Sequence, residues 1–150
     1  MTEPIPPLSS RYLILSALSG AVWGAIGYAL AASSFPALIL PAVLLSPLIG
    51  LAVGIGFRWI HRFEGIGVKA FVALLSLYAA GMLFGLVIGF TDLARGVDLP
   101  PGTTRIGYAV VIQPVMAIWW GLTFGGWFLA LWPLAYLNHR LLGNATVTRA

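Results

Sequence analysis

The sequence predicts an all-α membrane protein, an antiparallel bundle of four transmembrane helices, and two observations carry that prediction. The first is composition: 60% of the 150 residues are hydrophobic and 8% are charged, with a mean hydropathy of +0.98. Soluble domains carry about 25% charged residues. Eight Lys and Arg with four Asp and Glu cannot cover a water-facing globule, and a disordered chain would leave this much apolar surface wet. The second observation is the placement of those charges, which divide the chain into uncharged runs of membrane-crossing length.

The first run, Tyr12 to Phe57, holds 46 residues, about 69 Å as helix, or roughly twice a hydrocarbon core of about 30 Å. It must turn once, and Ser33-Ser34-Phe35-Pro36 supplies a helix N-cap and a proline suited to a first turn. Helices over about 11–33 and 35–60 follow. Ala29-Leu30-Ala31 has the look of a signal-peptide cleavage site. The weakly charged start and the long apolar run predict an uncleaved first helix instead.

Arg58 to Gly65 forms a basic, aromatic junction, and Ala70 to Phe90 supplies 21 uncharged residues, one crossing, read as a helix over about 67–92. A polar loop is expected at 92–105, where Asp92, Arg95 and Asp98 read as a solvated ion-pair cluster and Leu99-Pro100-Pro101-Gly102 excludes helix. The last run, Ile106 to Leu137, has 32 uncharged residues, too many for one upright crossing and too few for two. One long helix over about 104–141 is predicted, bent near Pro114 and Pro133, with a separate short helix at 104–113 as the alternative. The whole, 1–150, is one domain, with a flexible tail at 1–10 and a C-terminal tail at 143–150.

Orientation follows from basic residues. With four crossings Arg11, Arg58, Arg62, Lys69, Arg140 and Arg149 share a side, and only Arg95 and Arg105 lie on the other. Both termini are therefore expected in the cytoplasm, in a bacterial-type inner membrane. Tyr12, Trp59, Trp132 and Tyr136 are expected at the interfaces. The net charge of +4 sits at helix ends rather than in a stripe, which argues against nucleic acid. The absence of cysteine excludes disulfides and thiolate chemistry.

No ionisable residue falls within the four predicted spans. This argues against proton-coupled transport and intramembrane proteolysis, both of which need such groups at depth. Ser16, Ser19, Ser46 and Ser76 are expected in the membrane with no general base beside them. His61 and His139 read as interfacial residues just past helix ends. Hence no catalytic residue, metal site or cofactor is expected.

The positive pattern is small-residue spacing of the glycine-zipper kind: Ser16, Gly20 and Gly24; Gly50 and Gly54; Gly81, Gly85 and Gly89; Gly121 and Gly125. Residues four apart share a helix face, and small ones let backbones approach. These faces serve either packing within the bundle or self-association, and adjoining Trp23, Phe84 and Phe124 could wall a groove for an apolar ligand. Pro41 and Pro47 should bend or partly unwind the second helix, with Ser46 serving a freed carbonyl. Gln113, the one amide expected inside a crossing, could line a polar or ligand site with Tyr108 and Thr123. The function expected is non-enzymatic: a subunit or self-associating bundle in the lipid bilayer, partnered by copies of itself or other membrane subunits. The alternative is a passive channel or a binder of lipid or another apolar ligand.

Overall fold

In a computed structural model, residues 5, 7–31, 36–123 and 126–146 are described, with side chains for 5, 7–29, 40–119 and 131–144. Among them the regular structure is all helix, with no strand. Two helices, α1 (Ser10–Ala31) and α4 (Ile66–Arg95), are long and apolar enough to cross a membrane.

Between them the expected helix over 35–60 is divided. It becomes α2 (Pro36–Leu44), α3 (Ser46–Gly56) and a tight 3₁₀ turn (Arg58–Arg62). Pro47 causes the first division, because it has no N–H for the carbonyl of Val43. Ser46 Oγ donates to that carbonyl at 2.6 Å instead. Pro41 lies inside α2.

α1 and α3 pack antiparallel through bare backbone. A Cβ on Gly50 would stand 2.6 Å from the Ser16 carbonyl, and one on Gly20 would stand 2.7 Å from Gly50 Cα. Gly24 meets Ser46, and Gly54 meets Ser16. Tyr12 is fully buried against α3, and its hydroxyl donates to the Gly54 carbonyl at 2.8 Å.

α4 runs three residues beyond the expected end at 92. Gly96 closes it in the left-handed conformation, φ 73°, with the Val97 N–H returning to the Asp92 carbonyl and the Gly96 N–H to Leu93. Glycine is suited to that cap because a side chain there is strained. The loop is thus 96–104 rather than 92–105, and Asp92 belongs to a helix.

The long helix expected over 104–141 is corrected most. A short turn, α5 (Arg105–Gly107), leads through a π-turn (Tyr108–Ile112) into α6 (Gln113–Thr123), and α7 spans Gly126–Thr146. The helix from 105 to 123 descends antiparallel along α4, with Ala109 against Gly89, Pro114 against Gly85 and Ile118 near Gly81. Nineteen residues at 1.5 Å make about 28 Å, a full hydrocarbon thickness.

α7 does not continue that descent. Trp132 Nε1 donates to the Ala70 carbonyl at 2.7 Å, and His139 bonds Ser76, so residue numbers now rise together along both helices. Asn138 pairs with Ser19, and Gly143 lies under the His61 ring. These partners lie in the first halves of α1 and α4 and in the Arg58–Arg62 turn, so α7 packs over the basic half of the molecule. Pro133 lies inside α7, and helix also replaces the first part of the expected tail at 143–150, up to Thr146. The small core there is Ile60, Val72, Ala73 and Ala135, flanked by Trp23, Phe57, Phe63, Leu77 and Tyr136.

Candidate functional site

Three features stand out: a buried carboxylate corner, a serine–histidine contact and an apolar groove. The corner lies where the end of α4 meets the start of the 105–123 helix. Asp92 is only 3% exposed. Its Oδ2 accepts from the Tyr108 hydroxyl at 3.1 Å and from Gln113 Nε2 at 3.3 Å. Gln113 Nε2 also donates to the Tyr108 hydroxyl at 2.5 Å. Asp92 Oδ1 is buried with no hydrogen-bond partner among the described residues.

The π-turn makes this meeting possible. In an α-helix residues five apart point about 140° from each other, so Tyr108 and Gln113 would not touch. Here the Gln113 N–H bonds the Tyr108 carbonyl in the wider register, which brings the two side chains to one side. Gly89 permits the close approach, since a Cβ there would stand 2.7 Å from Ala109 Cα. Tyr108 and Gln113 of the expected polar site are thus joined, and the third member is Asp92. Thr123 lies in α6, but its surroundings fall outside the described residues.

The expectation of a solvated Asp92 is corrected, because its carboxylate is buried within the protein. His139, expected just past a helix end, sits inside α7 at 4% exposure, with Nε2 2.8 Å from Ser76 Oγ. The Ala73 carbonyl also lies within donating distance of Ser76 Oγ, at 2.7 Å, and the tautomer of His139 sets which of Oγ and Nε2 donates in their contact. Among the described residues no three His, Cys, Asp or Glu gather as metal ligands.

The third feature is an open groove of about 600 Å³ between α3 and α4, lined by Leu45, Leu48, Ala52, Leu83, Phe90 and Thr91 among others. The Thr91 hydroxyl donates to the Val87 carbonyl at 2.7 Å, so no polar group in the lining asks for a partner. This is not the glycine–aromatic groove expected from sequence. Gly20, Gly24, Gly50, Gly54, Gly85 and Gly89 face neighbouring helices of the same chain, and Gly81 has ordinary room beside Ile118. Gly121, in α6, and Gly125 have surroundings outside the described residues.

No family model matches the chain, and no curated protein or solved structure is significantly similar to it. What the geometry defines is a helical protein with two long apolar helices, an inward-facing carboxylate and a lateral apolar groove.

Proposed function

We infer that the chain is a multi-pass protein of a bacterial-type inner membrane that acts without catalysis, seating a phospholipid acyl chain in the groove between α3 and α4. The membrane reading is supported by what faces outward. Leu18, Val22, Leu48, Phe71, Met82 and Phe90 are all exposed, and only 22% of each apolar window in α1 and α4 is buried. A core helix of a soluble protein would be mostly covered. On α4 the uncharged stretch between Lys69 and Asp92 is about 33 Å long, close to a hydrocarbon core of about 30 Å.

The groove itself carries the functional reading. Along α4 it extends from Leu83 to Ala94, about 16 Å at 1.5 Å per residue, which is the depth of one leaflet. Filling the groove with Ala52→Phe should at least halve the phospholipid that stays bound to the purified protein in native mass spectrometry, without unfolding it. Unchanged lipid retention would remove this reading.

A second reading, a subunit or self-associating bundle, is supported by the same exposed apolar band but no longer by the glycines. A wild-type dimer that Ala52→Phe dissociates would favour it. The orientation has its own test. The start of the chain is assigned to the cytoplasm, because Arg11, Arg58, Arg62 and Lys69 are grouped on that side against Arg95 and Arg105 on the other. Cysteine placed at Gly102 should label with an impermeant thiol reagent in intact cells, while one at Gly65 should resist. The opposite pattern reverses the orientation.

A further inference from the structure

The carboxylate corner has a property that neither packing nor the groove explains. Both polar neighbours of Asp92 direct their hydrogens at Oδ2, leaving Oδ1 bare in a buried place. A buried carboxylate with half its shell missing is costly, and such groups are normally paired or coordinate a cation. A second oxygen lies on the same face. Gly89 and Asp92 are three residues apart on α4, and the Ala109 carbonyl oxygen stands 2.9 Å from the position of a Cβ on Gly89. In the π register set by Gln113 bonding to Tyr108, the donor to Ala109 would be residue 114. That residue is proline and has no N–H. The Tyr108 hydroxyl, which donates to Asp92 and accepts from Gln113, keeps one lone pair.

We propose that Asp92, Tyr108 and the Ala109 carbonyl bind a small monovalent cation of the sodium class, with Asp92 Oδ1 as the anionic ligand. The chemistry selects this ion. Every ligand is a hard oxygen, which suits hard cations and not zinc or copper. One carboxylate balances one positive charge, whereas a divalent ion would leave uncompensated charge at a buried site. The corner stands at the end of α4 beside the 96–104 loop. This binding does not depend on the lipid groove, and either can fail alone.

The test uses the full chain purified in detergent, with sodium chloride exchanged for choline chloride at constant ionic strength and mildly alkaline pH. Sodium should raise Tm with the logarithm of its concentration once above its Kd, by about 3–6 °C at about ten times Kd. Asp92→Asn, which keeps an acceptor for Tyr108 and Gln113, should fold and lose the response. Tyr108→Phe should weaken the apparent sodium affinity about tenfold, the effect of one hydrogen-bonding oxygen in a charged site. The sodium-23 NMR line should broaden with wild type and remain narrow with Asp92→Asn. Equal Tm in sodium and choline, or the same rise in Asp92→Asn, would overturn the site. Stabilisation by acid in choline, with no sodium response, would also overturn it and assign a neutral carboxyl instead. Should Asp92→Asn fail to fold, the wild type decides alone: its sodium-23 line should be broader than in the same detergent buffer without protein and should narrow when excess lithium competes for the site, and a line that does neither overturns the site.

Discussion

Gly50→Leu is expected to destabilise the protein by about 3 kcal/mol or more, at the upper end for overpacked contacts. The first added atom would lie 2.6 Å from the Ser16 carbonyl and just as close to the backbone of Gly20. No rotamer relieves a clash between Cβ and backbone, so α3 must move away from α1. The companion is Gly27→Leu, on α1, where nothing stands within 4 Å of an added Cβ. It should leave stability unchanged or slightly raised, as leucine is the better helix former. Thermal unfolding in detergent should separate the two by about 6–12 °C. Equal Tm values would mean that α1 and α3 do not touch as described.

The second large effect lies on α4 and distinguishes two glycines that the sequence treats alike. Gly85→Ala should cost about 2–3 kcal/mol, because its Cβ would stand 2.6 Å from Pro114 Cα and 2.7 Å from the Gln113 carbonyl. Gly81→Ala, one turn earlier, meets only the Ile118 side chain at 3.9 Å. It should stabilise by up to about 1 kcal/mol through helix propensity. Opposite signs in a thermal or denaturant assay are the expected result. A shared loss would place Gly81 in the contact as well, and a shared gain would release both from it.

These glycines also show what could be read from the chain alone. Small residues four apart predicted close helix faces, and α1 meets α3 through them. The spacing alone could not rank Gly81 below Gly85, because that depends on what the partner presents: Ile118 to one, Pro114 to the other. The proline at 47 and its serine neighbour were legible as a break with its own repair. The end of α4 was legible too, in Gly96, but the charge on Asp92 made a loop the simpler reading. Charge marks where a helix leaves lipid only when the side chain faces outward. Asp92 faces inward, so its charge gives a false boundary.

The polar site was half legible for a related reason. Tyr108 and Gln113 could be named as polar groups in an apolar run. A period of 3.6 nevertheless keeps them apart, and only the π-turn unites them. The return of α7 was the least legible. No charge lies between Ile106 and Leu137, so nothing in the charge pattern separates one bent helix from a helix followed by a segment folding back.

α7 is held differently from the rest of the molecule. The pairs α1–α3 and α4–α6 join segments close in sequence and touch through backbone. α7 is tied by side-chain hydrogen bonds from Trp132, Asn138 and His139, one of them to a residue 119 positions earlier. A ribosome delivers these parts in that order. The two glycine-packed hairpins can close while synthesis is under way, since their contacts are local. Ser19 and Ser76 then wait without their partners until the last twenty or so residues emerge. α7 is thus a clasp fastened at the end of synthesis, and a chain cut short before it would keep both hairpins and the contact of Ile60 with Val72 and Ala73 between them, while leaving Ser19 and Ser76 without these partners.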